Sequence, residues 1–174
     1  MKPSSPKIAS DWKRVSTLFD AIGQISVKVE VADCGSARFR LPQSWARRLT
    51  PFLDEFWVVA FSEKEVLHYM PTAVWPSYQD IVGAEFKAAN RTLPFDEYVK
   101  QTAEEIRLAR NHVGFKISLP ATLVRMASMK FSFSESESSE ILLRPNRAFF
   151  EVWTSSKHDA WIKKLEAPSG NIPA

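Results

Sequence analysis

Arg38-Phe39-Arg40-Leu41-Pro42 decides the fold, because its plan returns as Lys116-Ile117-Ser118-Leu119-Pro120, 78 residues later. In both stretches polar and apolar residues alternate, the pattern of a half-buried strand. Both end in Leu-Pro. Proline suits the first turn of a helix, where its missing N–H would have no partner anyway. Upstream of the match Asp33 falls on Asn111, and downstream Arg47 falls on Arg125. The match resumes at a spacing of 83 residues, with Val58-Val59 on Ile141-Leu142 and Val66-Leu67 on Phe149-Phe150. Met70 then falls on Trp153, Tyr78 on Trp161 and Val82 on Leu165. The extra residues fit one place, the Ser/Glu-rich stretch 132–140, and a polar loop tolerates such an insertion. The chain therefore reads as a tandem repeat.

Each unit reads as strand, turn, strand, short helix, strand, strand, helix. Val27, Val29 and Val31 alternate with polar residues, and Asp33-Cys34-Gly35-Ser36 is turn material. Trp45 and Leu49 lie four apart on one helix face, and residues 56–61 form an apolar run suited to a buried strand. Pro71 is expected to open a helix with Val74, Tyr78 and Val82 on one face. In the second unit a short helix over 121–128 follows the returning strand 116–119. A hairpin is expected through Arg144-Pro145-Asn146-Arg147, and a last helix over 156–165. Residues 10–22 carry Trp12, Val15, Leu18, Phe19 and Ile22 at helical spacing, with Ser10 as the cap. Residues 95–110 read as a helix joining the units, and 167–174 as a loose tail. The expected organisation is an N-terminal extension (1–25), unit one (26–86), a linker helix (87–110) and unit two (111–166).

The bulk properties are those of a globular chain, with 45% hydrophobic and 25% charged residues among 174. The net charge of +3 permits a polyanionic partner without requiring one. One cysteine, Cys34, excludes an internal disulfide framework. No apolar run suggests a signal peptide or a membrane span, so a cytoplasmic location is expected. Five glycines form no phosphate-cradling loop, and no hydrolase or zinc-site motif occurs, so neither an enzyme nor a cofactor, metal or small-molecule substrate is expected. Cys34 with Asp33 and His112 would make a thiol site only if the two turns met; unrelated turn residues are the more economical reading.

A strand, a basic turn, a second strand ending in Pro and a short helix resemble the swapped-hairpin AbrB pattern. Two such units joined by a helix resemble the MraZ family of tandem SpoVT/AbrB-like transcription regulators. The resemblance spans about 26–166 and rests on Arg38-Phe39-Arg40-Leu41-Pro42, on Met70-Pro71 followed by Trp75, and on Phe149-Phe150-Glu151-Val152-Trp153. It implies an α+β fold of two swapped-hairpin units (β-β-α-β-β-α each) around a shared core. It also implies a homo-oligomeric ring that binds double-stranded DNA at repeated sites and represses a division and cell-wall gene cluster, in association with the nucleoid. Arg38 and Lys116 stand four before their prolines, where the family's turn carries Arg. They are the DNA-contact candidates, with Arg40 on the same strand face as Arg38 and with Arg47 and Arg48 on the following helix. Asp33, Gly35, Asn111 and Gly114 would shape the turns. Both turns depart from the family pattern, with Cys34 and His112 at the acidic place and Ala37 and Phe115 where Gly precedes the Arg. That departure motivates an alternative, an oligomeric scaffold of the same fold without specific DNA recognition.

Overall fold

A computed structural model describes residues 5–31, 37–61, 65–89, 92–111, 114–127 and 140–154. Helix α1 (Ser5–Asp20) leads into β1 (Ile25–Val31) and β2 (Ala37–Arg40), then α2 (Gln43–Arg48). Strands β3 (Glu55–Phe61) and β4 (Val66–Pro71) follow, then α3 (Trp75–Ala88) and α4 (Phe95–Thr102). The second half contributes β5 (Ala103–Arg107), β6 (Ala109–Asn111), β7 (Gly114–Leu119), α5 (Ala121–Met126), β8 (Glu140–Asn146) and β9 (Phe149–Thr154). The fold is α+β. Its described strands form one antiparallel sheet in the order β5-β3-β4-β9-β8-β1-β2-β7-β6. Only Leu108 separates β5 from β6, which lie at opposite ends of that order, so the sheet nearly closes into a barrel. Among the described residues no helix is long and apolar enough to cross a membrane.

Each half keeps its own hairpins, β1–β2 and β3–β4 in the first, β6–β7 and β8–β9 in the second. All other ladders join the halves: β1 to β8, β3 to β5, β2 to β7 and β4 to β9. Phe39 lies directly opposite its repeat counterpart Ile117, and His68 opposite Glu151. An internal approximate two-fold therefore passes through both ladders. The two Leu-Pro prolines behave alike, each carbonyl accepting the first bond of its short helix, from Ala46 N–H and Val124 N–H at 2.9 Å.

Several expectations are corrected. Phe56 pairs with Ile106 and Pro71, while Ile141 pairs with Val27 and Thr154. Phe56, not Val58, is thus the counterpart of Ile141. The linker helix ends at Thr102, and residues 103–107 and 109–111 are strands. Helix α1 begins at Ser5, not at Ser10. Pro71 ends β4 opposite Phe56; a 3-10 turn (Thr72–Val74) intervenes before α3, whose first turn holds Pro76. The β8–β9 turn is Arg147-Ala148, because Asn146 already pairs with Phe149. Arg147 takes a left-handed φ of 54° there, an uncommon conformation for a residue with a side chain. Its guanidinium is held by Glu85 at 2.6 and 3.3 Å. Arg144 likewise reaches a carboxylate, Glu151, at 3.5 Å. The Ser/Glu stretch up to 139, the last helix 156–165 and the tail lie outside the described residues.

One core serves both halves. Phe150 lies at its centre, with the rings of Phe19, Phe39, Trp45, Phe56 and Tyr69 within 6.5 Å. Phe19 comes from α1, Phe39 to Tyr69 from the first half and Phe150 from the second. All six are buried. The Tyr69 hydroxyl donates to the Ser118 carbonyl at 2.6 Å, a further bond between halves. Burial pushes the Tyr69 phenol well above its ordinary value, so it stays a neutral donor.

Candidate nucleic-acid interface

The candidate cations come together where β1, β2 and β7 lie side by side. Along β2 the side chains alternate, so buried Phe39 points into the barrel and Arg38 and Arg40 point out. On β7 buried Ile117 points in, and Lys116 and Ser118 point out. The register sets Arg40 directly opposite Lys116 and Arg38 opposite Ser118. Lys116, from the second half, therefore lies beside Arg38 and Arg40 from the first.

Glu30 of β1 lies directly opposite Arg38. Lys116 reaches over β2 to it, Nζ to Oε1 at 3.0 Å. Only 15% of the Lys116 side chain is exposed, against 41% for Glu30. The hydrogen bond from Lys116, opposed in part by burial and aided by the charges of Lys116, Arg40 and Arg38, holds the Glu30 carboxyl below the ordinary carboxylate value. Lys116 thus pairs with the carboxylate, and Arg38 and Arg40 lie near enough to act on it through their charge. The Arg38 Nε is buried and has no hydrogen-bond partner among the described residues.

Arg47 and Arg48 are exposed in the last turn of α2, a place that suits cations because of the helix dipole. Trp45 on the same helix and Leu49 just after it are buried and fix which face the arginines present. Of the turn-shaping residues, Asp33 and Gly35 lie outside the described residues, as do Cys34 and His112. Asn111 and Gly114 pair with each other at the end of the β6–β7 hairpin. Gly114 has φ of 139°, which L-residues rarely adopt, so this place does require glycine.

One residue of this face, Glu30, is absent from the candidates read from the sequence. Glu30 was hidden because its partner Lys116 belongs to the other half; only the β2–β7 pairing brings them together. Arg110, a further exposed cation beside the β6–β7 turn, stacks over the Phe115 ring at 5.4 Å on the side of β7 away from Lys116. Its expected place in a linker helix concealed it. His68 of β4 sits in a buried polar group elsewhere in the sheet. Its Nδ1 is 2.8 Å from the Tyr78 hydroxyl, and its Nε2 faces Glu151 at 3.8 Å. Glu151 also accepts from Trp153 Nε1–H and Asn146 Nδ2–H at 2.9 and 3.1 Å. This buried group ties α3 to the sheet.

No family model matches the chain, and no curated protein matches it.

Proposed function

We propose that the protein is a DNA-binding transcriptional regulator of MraZ type, a repressor that works as a ring-shaped homo-oligomer. Its targets in this reading are repeated promoter sites of a division and cell-wall gene cluster. One observation carries the DNA-binding part: Arg38, Arg40 and Lys116 share one outward face across the β2–β7 ladder that joins the halves. Guanidinium groups so placed suit backbone phosphate and the guanine edge in the major groove. The exchanged strands and tandem hairpins support the resemblance to swapped-hairpin regulators. A few phosphate contacts per subunit bind weakly, and joining several such faces in one assembly raises affinity without new contacts.

The test is binding to duplex DNA from upstream of the protein's own operon, compared with random DNA, for the wild type and Arg38→Ala/Arg40→Ala. Preferential binding of the operon DNA, lost in the variant, is expected. Equal binding of both DNAs, or of both proteins, defeats the reading. A second reading, an oligomeric scaffold without DNA recognition, is favoured by one contact: Glu30 already occupies Lys116. In that case the assembly forms but no DNA is preferred.

A further inference from the structure

We propose that Arg38, Arg40 and Lys116 form a subsite for a single phosphate group, and that the Glu30 carboxylate is its built-in competitor. The proposal rests on the DNA-binding reading and concerns how that face is regulated.

Glu30 is at the place a phosphate would take. Its carboxylate accepts from Lys116 at 3.0 Å and lies within the fields of both Arg38 and Arg40. A phosphate offers the same negative oxygens with more charge and more acceptor sites, so it can replace the carboxylate on Lys116 and also accept from Arg38 and Arg40, which act on Glu30 only through their charge. Arg38 retains an unused donor, since its buried Nε has no partner among the described residues. Glu30 satisfies Lys116 but leaves that Nε–H unmet.

The internal symmetry marks Glu30 as an addition. Glu30 pairs with Arg38 in the first half, and the corresponding pair in the second is Ala109 with Lys116. The cation recurs and the acid does not. A carboxylate needed for the hairpin itself would be expected in both copies. Instead Lys116 crosses β2 to pair with Glu30. The contact is only partly shielded, with 41% of the Glu30 side chain exposed, so an incoming anion has access to it.

The competitor has a definable effect. Before phosphate binds, the carboxylate must leave Lys116 and move aside. A weak, delocalised contact with arbitrary DNA then gains little. A contact reinforced by correct base readout elsewhere displaces Glu30 and recruits Lys116. Glu30 thus lowers affinity for every phosphate that must displace it, and by the same factor.

The experiment compares wild type with Glu30→Gln, using two probes: the operon duplex and inorganic pyrophosphate. Duplex binding is read by fluorescence anisotropy over a range of salt, and pyrophosphate binding by the NMR shift of the Arg38 Nε–H. In Glu30→Gln, affinity for both probes is expected to rise roughly fivefold, the order expected for removing one nearby charge in a well-solvated site. The duplex salt dependence should steepen by about 0.9, the increment for one more neutralised phosphate. No gain for either probe overturns the proposal, even if the wild type binds DNA through Arg38 and Arg40. Weaker binding of both also overturns it and makes Glu30 a residue that positions Lys116. A gain for pyrophosphate alone, with DNA binding indifferent to Arg38→Ala/Arg40→Ala, supports the phosphate subsite and defeats the DNA reading. Should Glu30→Gln fail to fold, Glu30→Asp keeps the charge but draws it back from Lys116. Part of the gain is expected there, and no gain overturns the proposal equally.

Discussion

At the scale of single residues, charge placement on β1, β2 and β7 determines what this face can do. Lys116 satisfies Glu30, so the carboxyl should titrate below its ordinary value of 4.5. A group whose folded value is depressed adds stability above its unfolded value and loses it as pH falls through the folded one. Glu30 is partly exposed, so the effect on global stability is small and the local titration is the better measure. Carboxyl-carbon NMR of the wild type should give a midpoint below 4.5, and Lys116→Met should move it up towards that value. A wild-type midpoint at or above 4.5 would show that the pair does not persist in solution. Arg38 and Arg40 were legible in the sequence as one strand face, because period-two alternation needs only local pattern. The bond to Glu30 was not, because it spans two strands that only the pairing of the two halves makes neighbours.

At the scale of elements, the helix before each unit's first strand acquires a role. Helix α4 leads into β5, which pairs with β3, and Tyr98 of α4 donates its hydroxyl proton to the Ala60 carbonyl of β3 at 2.7 Å. Helix α1 likewise leads into β1, which pairs with β8. It buries Val15 and Phe19, with Phe19 set edge-on to Trp45 and Phe150. The N-terminal segment is therefore a structural counterpart of α4 and part of the core. Phe19→Ala should cost about 3–5 kcal/mol in urea unfolding, the usual range for a buried phenylalanine. Lys13→Ala, exposed on the same helix, should stay within about 0.5 kcal/mol. A cost below about 1 kcal/mol for Phe19→Ala would mean that α1 packs only loosely. Most elements were legible: the alternating strands, the Leu-Pro entries to α2 and α5, and the apolar face of α3. The segment 103–111 was not, since Ala, Glu, Leu and Arg are good helix formers and Ile106 extends the apolar spacing of α4. Pairing of 103–107 with β3 overrides that local preference. The β8–β9 turn was misplaced for a related reason. Pro145 and Asn146 are ordinary turn residues, yet both are in the ladder opposite Phe150 and Phe149.

For the whole molecule, the exchange of strands decides whether either half can exist alone. Each of β1, β2, β3 and β4 has a partner from the second half. Cutting between the halves would open all four ladders, leaving backbone N–H and C=O groups unpaired along strand edges. It would also expose the Phe150 cluster, since Phe39, Trp45, Phe56 and Tyr69 pack on a ring from the other half. Fragment 1–90 as a monomer should therefore show no cooperative thermal transition. Mixed with fragment 91–174, it should regain the circular dichroism and melting transition of the intact chain and sediment at the intact chain's mass in analytical ultracentrifugation, with the two fragments in equal number. A monomeric 1–90 fragment with its own cooperative melt would show that the first half closes a core by itself, contrary to the shared ladders. The same exchange bears on the cationic face. Arg38 and Arg40 reach Lys116 only through the β2–β7 ladder, so the isolated fragments should each lack the convergent site and the mixture should restore it. The Arg38 Nε–H shift with pyrophosphate, followed in fragment 1–90 before and after its partner is added, reads folding and site assembly in one titration.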